Sequence, residues 1–513
     1  MNFAFRVDAS IHMGSGHVAR CATLADYLRQ CGGNSTFICR ELPGHYCDWL
    51  AERGYAVQRL PAPSSVHHRS PDGLAHAAWL GVPKEQEIRE AGEALRQVGH
   101  VDWLIVDHYA LDAEWEQAMR AHVPRIMVID DLADRSHDAD LLLDQNLQPH
   151  AGRYNNLLPP FCAQLLGPAF ALLRPEFSET RVVLAPRNGE VRRVLVFMGG
   201  GDIQNITGKI LDALTGPETD HLAMDIVITK GSPYYEELQF RCSILPNCTL
   251  HVQTTDMASL MAKADLMIGG SGSATWERCC LGLPSVLISI AENQRTIGRE
   301  ISRHRAAIYL GDYETLNLEK LQSVLSRLIY RPKLLRHIGN RALSLVDGRG
   351  SDRVILCMCR EESVQLRHAT IDDATKVWPW RNHPETRRYF IRSTPVPLAE
   401  HHDWWDKVLA CKTSIILLGS RCKVDIGVLR FDLQNTMAVV SIYLDPAFHG
   451  LGLGTALLRA GENWLHVTHP SIQKCEATIL LDNVASQRTF YSAGYRINVS
   501  HGRWERLICG ATV

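Results

Sequence analysis

"MGSGHVARCATLADYL", residues 13–28, decides the fold. The stretch before it, Phe3 to Val7, is apolar and β-leaning. After it, Val18, Cys21, Leu24, Ala25 and Leu28 fall on one helical face. Gly14, Ser15, Gly16 and His17 therefore occupy the turn where a strand hands over to a helix. In open α/β sheets that is where ligands bind.

Moving outward, strand-like runs recur with helical segments between them. The first set is Phe3–Val7, Trp103–Asp107, Arg125–Ile129 and Leu141–Asp144, with a His-, Ser- and Pro-rich insertion from Pro61 to Pro83. The second set is Val194–Met198, Ile226–Thr229, Thr249–Val252, Leu266–Ile268, Ser285–Ile290 and Ile308–Leu310. Alternating β and α segments predict parallel, doubly wound sheets. The sets part near Arg174 to Val191, a charged stretch with Pro175, Pro186 and Gly189. Two such α/β halves facing a cleft form the GT-B type of architecture.

From Val364 the rhythm changes to a strand, two helices and the antiparallel-looking strands Ser414–Leu418, Asp425–Asp432 and Ala438–Leu444. A glycine loop, a helix, a strand at Ala477–Leu481 and a last helix follow. The predicted organisation is α/β halves over 1–180 and 181–350, then an α+β domain over 364–510.

A chain of 513 residues with 46% hydrophobic and 21% charged residues reads as two to four globular domains. A formal net charge of −2 gives no global field for nucleic acid or an acidic membrane. No run of about 18 apolar residues and no signal-peptide pattern is present, because Arg6 and Asp8 interrupt the start. The fifteen cysteines are scattered without C-x-x-C spacing, which suits reduced core thiols in a cytoplasmic protein. No Cys/His/Asp cluster has metal-ligand spacing, so no metal is expected.

"GGSGSATWERCCLGLP", residues 269–284, is a glycine turn after a strand. Gly272 and the small Ser271 and Ser273 let backbone N–H groups approach an anion. Glu277, one turn into the following helix, can accept two hydrogen bonds from a ribose diol. "MGGGDIQN", residues 198–205, is a second such turn, and its Gly200, Gly201 and Asp202 can offer polar groups to phosphate or sugar. Alternatively, these glycines serve tight turns alone.

The segments "FRVDASIHMGSGHVARCATLA", "IVDHYALDAEWE", "VIDDLADR", "LLLDQN", "FMGGGD", "GSGSATWERCCLGLPSV" and "AENQ" together resemble one family, from about residue 3 to about 345. It is the UDP-2,4-diacetamido-2,4,6-trideoxy-β-L-altropyranose hydrolases of pseudaminic acid synthesis, metal-independent GT-B-like enzymes related to the peptidoglycan N-acetylglucosaminyltransferase. The resemblance implies that His17 is a general base activating water at the anomeric carbon. The residues fit that role. UDP is a good leaving group, so one base suffices, and a helix N-terminus favours a neutral imidazole. Arg6, Asp8, Gly16, Arg20, Asp107, His108 and Tyr109 converge on the same sheet edge and would position the sugar, although Asp107 and His108 also suit an ordinary polar strand end. Asn293 and Gln294, in "AENQ", join the substrate set.

"VVSIYLDPAFHGLGLGTALL", residues 439–458, resembles the acetyl-CoA loop of GNAT acetyltransferases, with His449 where that family usually has Arg or Gln. The resemblance implies that Gly450, Gly452, Gly454 and Thr455 hold the pyrophosphate. Backbone around Ile442 and Leu444 would splay from the next strand to take the thioester. Asn483 would meet the pantetheine arm. The family's tyrosine slot holds Phe490, and Tyr491 follows by one residue, a rotation of about 100°. Tyr491 protonates the CoA thiolate if the helix is locally shifted, and otherwise is a packing residue. "WPWRNHPETRRYF", residues 378–390, resembles the acceptor side of aminosugar acetyltransferases, or is a half-buried helix pair.

These expectations describe a bifunctional enzyme with UDP-aminosugars and acetyl-CoA as substrates and no nucleic-acid or membrane partner. A UDP-sugar glycosyltransferase with a GNAT domain, and a UDP-sugar-binding module that only acetylates, are the alternatives.

Overall fold

The computed structural model describes residues 1–513 except 64–73, 148–149, 151, 200–201, 203, 217–218, 391, 499–501 and 509–513. The chain divides into two compact units, Met1–Val354 and Ile355–Val513.

The first unit holds two parallel sheets. One contains β1 (Asn2–Val7), β2 (Asn34–Arg40), β3 (Ala56–Leu60), β4 (Trp103–Asp107), β5 (Ile126–Ile129), β6 (Leu141–Asp144) and β7 (Ala163–Leu166), in the order β3-β2-β1-β4-β5-β6-β7. The other contains β8 (Arg193–Phe197), β9 (Ala223–Ile228), β10 (Cys248–Val252), β11 (Leu266–Gly270), β12 (Ser285–Ser289) and β13 (Ile308–Asp312), in the order β10-β9-β8-β11-β12-β13. Both orders reverse between the first and fourth strands, so each sheet has a switch-point crevice at its carboxyl edge. These are two Rossmann-like halves of a GT-B-like pair. Strand runs such as "FAFRV", "WLIVD" and "LMIGG" are buried on both faces, as parallel sheets covered by helices require.

All six strands of the second sheet fall where the sequence places them. In the first sheet β2, β3 and β7 were missed. "NSTFICR", "AVQRL" and "AQLL" carry polar residues at partly exposed positions, so their hydrophobic runs are broken. The charged stretch from Arg174 contains a helix, Pro175–Val183, which Pro175 opens at its first turn.

The second unit is built on one mixed sheet of β14 (Gln365–His368), β15 (Ser414–Arg421), β16 (Val424–Gln434), β17 (Met437–Leu444), β18 (Lys474–Ala477), β19 (Arg496–Asn498) and β20 (Arg503–Leu507), in the order β14-β15-β16-β17-β18-β20-β19. Its neighbours are antiparallel except β17 and β18. The helix Leu453–Thr468 lies close on this sheet. A Cβ at Gly461 would sit 1.9 Å from Leu429 Cδ2, so only glycine fits there. The strand expected at Ala477–Leu481 is instead Lys474–Ala477, because the chain leaves the sheet after Ala477.

Candidate functional site

The turn after β1 and the end of β4 meet at the first switch point. β1 pairs with β4 so that Val7 lies opposite Asp107, the last residue of β4. The helix Gly16–Gln30 then brings His17 and Arg20, three residues apart and so on one face, onto that carboxylate. His17 Nδ1 lies 2.6 Å from Asp107 Oδ1. Arg20 forks onto the same group, Nε to Oδ2 at 2.6 Å and Nη2 to Oδ1 at 2.6 Å. Asp107 is fully buried. Burial would raise its pKa, but the charge of Arg20 and the hydrogen bonds from Arg20 and His17 outweigh burial and hold it well below the usual carboxylate range.

An ionised carboxylate only accepts. Nδ1 therefore carries a proton toward Asp107, and in the neutral ring the lone pair lies on Nε2. The 3.2 Å approach of Arg20 Nη2 to Nδ1 is not a hydrogen bond in that tautomer, because both atoms are donors. The arrangement is a histidine oriented by a buried carboxylate, with its second nitrogen available to take a proton from water.

Arg6 and Asp8 are also fully buried and belong to an ion network. Arg6 Nη1 binds Asp8 Oδ1 at 2.7 Å, and Arg6 Nε binds Glu87 Oε1 at 2.7 Å. Arg40 donates its backbone N–H to Asp8 at 2.7 Å and its side chain to Glu87. His108 Nε2 faces Asp8 Oδ2 at 3.4 Å, and burial holds the pKa of this histidine down despite Asp8. Glu90 joins the network 2.7 Å from Arg40 Nη1, so two arginines meet three carboxylates beneath the crevice. Gly16 opens the helix, with open space where a Cβ would stand.

Tyr109 packs edge-on against His17, ring centroids 4.7 Å apart, and donates its hydroxyl to Asp131. Sequence reasoning missed the other side of this wall. Trp79 stacks on Tyr109 at 5.4 Å and meets the edge of His17 at 6.0 Å, and His76 contacts both Trp79 and Tyr109. These residues come from the insertion after Pro61, whose composition gave no periodic signal. Asp131 and Asn146 were also missed as individuals, although "VIDD" and "LLLDQN" contain them.

In the second sheet, the turns after β8 and β11 lie side by side. A Cβ at Gly270 would stand 2.9 Å from Met198 O, so the close approach requires glycine. Ser271 is fully buried, and its hydroxyl is shared with Ser289 Oγ and Gln294 O. Gln294 accepts the Ile290 N–H and packs against Gly272. The side chains of Ser271 and Gln294 therefore hold the turn. Ser273 precedes the helix Ala274–Cys280, and Asn293 lies in the first turn of Glu292–Arg303. Asp202 accepts the N–H groups of Ile206 and Thr207, both at 2.9 Å. It thereby holds the start of the helix Ile206–Leu214, whose N-cap is Asn205. Gly200 and Gly201 lie outside the described residues.

Glu277 is partly exposed, 3.9 Å from Arg174. Burial raises its carboxyl above the usual range, against the pull of Arg174 and Arg278. Arg278 is buried, donates to Gly270 O and Thr275 Oγ1, and is lowered to about 10 by burial.

In the second unit, β17 pairs with β18 only over Met437–Val439, while its pairing with β16 continues to Leu444. The edge of β17 around Ile442 and Leu444 thus has no strand partner on the β18 side. This is the expected splay. At its end, Gly450 and Gly452 take left-handed backbone, φ 82° and 75°, with open space where a Cβ would be. Gly452 caps the helix Leu453–Thr468, so free N–H groups face the same opening. Gly454 and Thr455 pack on Thr489 of the helix Val484–Ala493. Asn483 caps that helix through Ser486 N at 3.0 Å. Phe490 is buried against Tyr495, whereas Tyr491 is 59% exposed with Arg496 over its ring at 4.3 Å. Arg381 lies over Phe390 at 3.9 Å, and Phe390 meets Tyr443 at 5.9 Å, so "WPWRNHPETRRYF" adjoins the splayed strand.

A GT-B-like pair of α/β sheets followed by a mixed-sheet domain with a splayed strand and glycine loop defines an enzyme with an acetyltransferase domain. Comparison with known proteins agrees. Residues 193–339 match the glycosyltransferase family 28 C-terminal domain, and residues 363–496 match the acetyltransferase (GNAT) domain. The UDP-2,4-diacetamido-2,4,6-trideoxy-β-L-altropyranose hydrolase of Campylobacter jejuni is 26% identical over 298 residues, 58% of this chain and 94% of that one. The spore coat polysaccharide biosynthesis protein SpsG of Bacillus subtilis is 32% identical over 37% of this chain and 56% of its own length. An uncharacterized protein of Methanocaldococcus jannaschii is 22% identical over 97% of both chains. The chain is a homologue of the altropyranose hydrolase with a family 28-like C-terminal half and a fused GNAT domain. Among the described residues, no helix is long and apolar enough to cross a membrane, and no group of three or more His, Cys, Asp or Glu side chains is placed to hold a metal ion.

Proposed function

We propose that the first unit hydrolyses UDP-2,4-diacetamido-2,4,6-trideoxy-β-L-altropyranose to free sugar and UDP. We further propose that the GNAT domain acetylates the 4-amino group of the precursor UDP-aminosugar with acetyl-CoA. The observation that carries the hydrolytic reading is the His17–Asp107 contact of 2.6 Å at the switch point. Asp107 holds Nδ1–H, so Nε2 removes a proton from water as the water attacks the anomeric carbon. The C–O bond to the β-phosphate breaks, and its electrons leave with UDP. Glycine-turn N–H groups stabilise the departing diphosphate, and Glu277 holds the ribose. Trp79 and Tyr109 wall the base from bulk solvent.

For acetyl transfer, the unpaired edge of β17 and the left-handed glycines fit acetyl-CoA. The free N–H groups of the loop would hold its pyrophosphate, and the splayed edge would accept the pantetheine and acetyl carbonyl. The acceptor amine attacks that carbonyl and gives up a proton to water, the C–S bond of the tetrahedral intermediate breaks, and CoA leaves as the thiolate, protonated by Tyr491 or by water. The aromatic and arginine side chains from Trp378 to Phe390 face the acceptor side.

The family 28 match supports a second reading, transfer of the sugar to an acceptor. Incubation with defined UDP-aminosugars and acetyl-CoA, followed by NMR, separates them. Free 2,4-diacetamido sugar and UDP are expected without any added acceptor. UDP release that requires an acceptor contradicts hydrolysis.

A further inference from the structure

Asn146 follows β6 in the first α/β half, and Trp276 lies in the helix that carries Glu277 in the second. Trp276 Nε1 donates to Asn146 Oδ1 at 3.1 Å, and Asn146 Nδ2 donates to Asp131 Oδ2 at 3.0 Å. Indole N–H can only donate and an ionised carboxylate can only accept, so the amide has a single orientation that satisfies both. Asp131 takes the Tyr109 hydroxyl on its other oxygen and faces Arg20 Nη1 at 3.5 Å. Arg20 in turn forks onto Asp107, which holds His17. Trp276 is 1% exposed and Asn146 7%. Each donor and acceptor along this line is matched, from the nucleotide-side helix to the imidazole.

We propose that Asn146 is a positioning residue for hydrolysis, coupling the helix that bears Glu277 to the orientation of His17. This rests on the reading of His17 as the base. Asn146 touches none of the reacting atoms. It acts through Asp131, which shares Arg20 with Asp107. Without the amide, Asp131 loses a donor and competes with Asp107 for the Arg20 guanidinium, and the fork that fixes His17 loosens. Trp276 serves as the anchor from the other half, and Glu277, next to it in the chain, ties nucleotide docking to the same anchor. The specificity of the arrangement is chemical, since a carboxylate at 146 would face Asp131 and an aliphatic side chain would satisfy neither neighbour.

The test compares Asn146→Ala, Trp276→Phe and the double variant. Trp276→Phe keeps the ring and removes only the donor. Expected is a fall in kcat of roughly ten- to a hundredfold for Asn146→Ala, the scale of a small misplacement of a catalytic group. The Kd for UDP should stay within about twofold, because the removed Trp276 N–H and Asn146 amide are spent on each other and on Asp131 and neither is a nucleotide contact. The double variant should be no slower than Asn146→Ala alone, since both break one connection. An unchanged kcat, a parallel loss of UDP affinity, or additive effects would overturn the proposal.

A second measurement does not depend on turnover. In ¹⁵N-histidine-labelled full-length protein, the Nδ1–H of His17, assigned by its loss in His17→Asn, should resonate far downfield and shift or broaden in Asn146→Ala. An unmoved resonance overturns the coupling. If instead the resonance moves but His17→Asn retains full kcat, the base reading fails while the coupling stands.

Discussion

Asp144, at the end of β6, is the group whose replacement most directly tests the electrostatics around Asn146. It is fully buried, accepts the Asn146 N–H at 2.9 Å and the Tyr154 hydroxyl at 2.9 Å, and lies 3.6 Å from Arg153. Burial, then the charge of Asp131, pushes its pKa up to about 7, against opposing contributions from Asn146, Arg153 and Tyr154. The ordinary aspartate value is about 3.9. Between about pH 4 and pH 7 the folded state therefore holds a proton that the unfolded state has lost. Stability falls as pH rises through that window, and the full cost is present above pH 7. A difference of about three pH units corresponds to about 4 kcal/mol. Asp144→Asn keeps the shape, keeps an acceptor for Asn146 N–H, and removes the titration. The variant should match the wild type near pH 4 and exceed it at pH 8. For a unit of this size, about 4 kcal/mol moves the thermal midpoint by about 5 °C. Differential scanning calorimetry of both proteins at pH 4.5, 6 and 8 measures the gap. A gap that is constant with pH, or that shrinks as pH rises, refutes the assignment of a neutral carboxyl.

Three further outcomes follow from the two sites. Glu277→Ala should raise KM for the UDP-sugar about tenfold with kcat little changed, since a charged hydrogen bond to a ribose contributes equally to ground and transition states; a pure kcat loss in steady-state assays would place Glu277 at the chemistry. Gly452→Val forces a β-branched residue into left-handed backbone, so acetyl-CoA titration should show at least about tenfold weaker binding while UDP binding is unchanged. Tyr491→Phe should slow acetyl transfer by less than about fivefold in a thiol-release assay, because the exposed side chain shares its role with water, whose protons reach a thiolate of ordinary pKa about 8.5.

The sequence was most legible where chemistry and periodicity coincide. The turn containing Gly14 to His17 sits between an apolar run and a helical one, and both elements form as read. His17, Arg20 and Asp107 do meet, because parallel pairing of β1 with β4 brings two strand ends together. Residues whose side chains serve the fold were harder to separate from ligands. Asp202 and Asn483 stand in glycine-rich contexts, and each also bonds backbone N–H groups at the start of a helix, which no local pattern separates from a binding role. The pairing of Arg6 and Asp8 with Arg40 and Glu87 was not legible, because those partners lie far away in sequence and no local pattern announces it. Trp79 and Asn146 depend wholly on tertiary placement. The boundary between units was also blurred. The helix Gly350–Met358 crosses it, with Ser351 and Arg353 bonded to Leu173 O and Ala169 O in the first unit and Leu356 in the core of the second. A cut inside this helix would damage both pieces.

The most direct test of hydrolysis by a carboxylate-oriented histidine is His17→Asn, assayed for both UDP release from the diacetamido UDP-sugar and UDP binding by calorimetry. Asparagine can still bond to Asp107 but has no lone pair basic enough to take a proton from water. The account predicts that UDP release falls at least a thousandfold while the Kd for UDP stays within about twofold. Retention of more than about a tenth of kcat would contradict it, because another base would then be doing the chemistry.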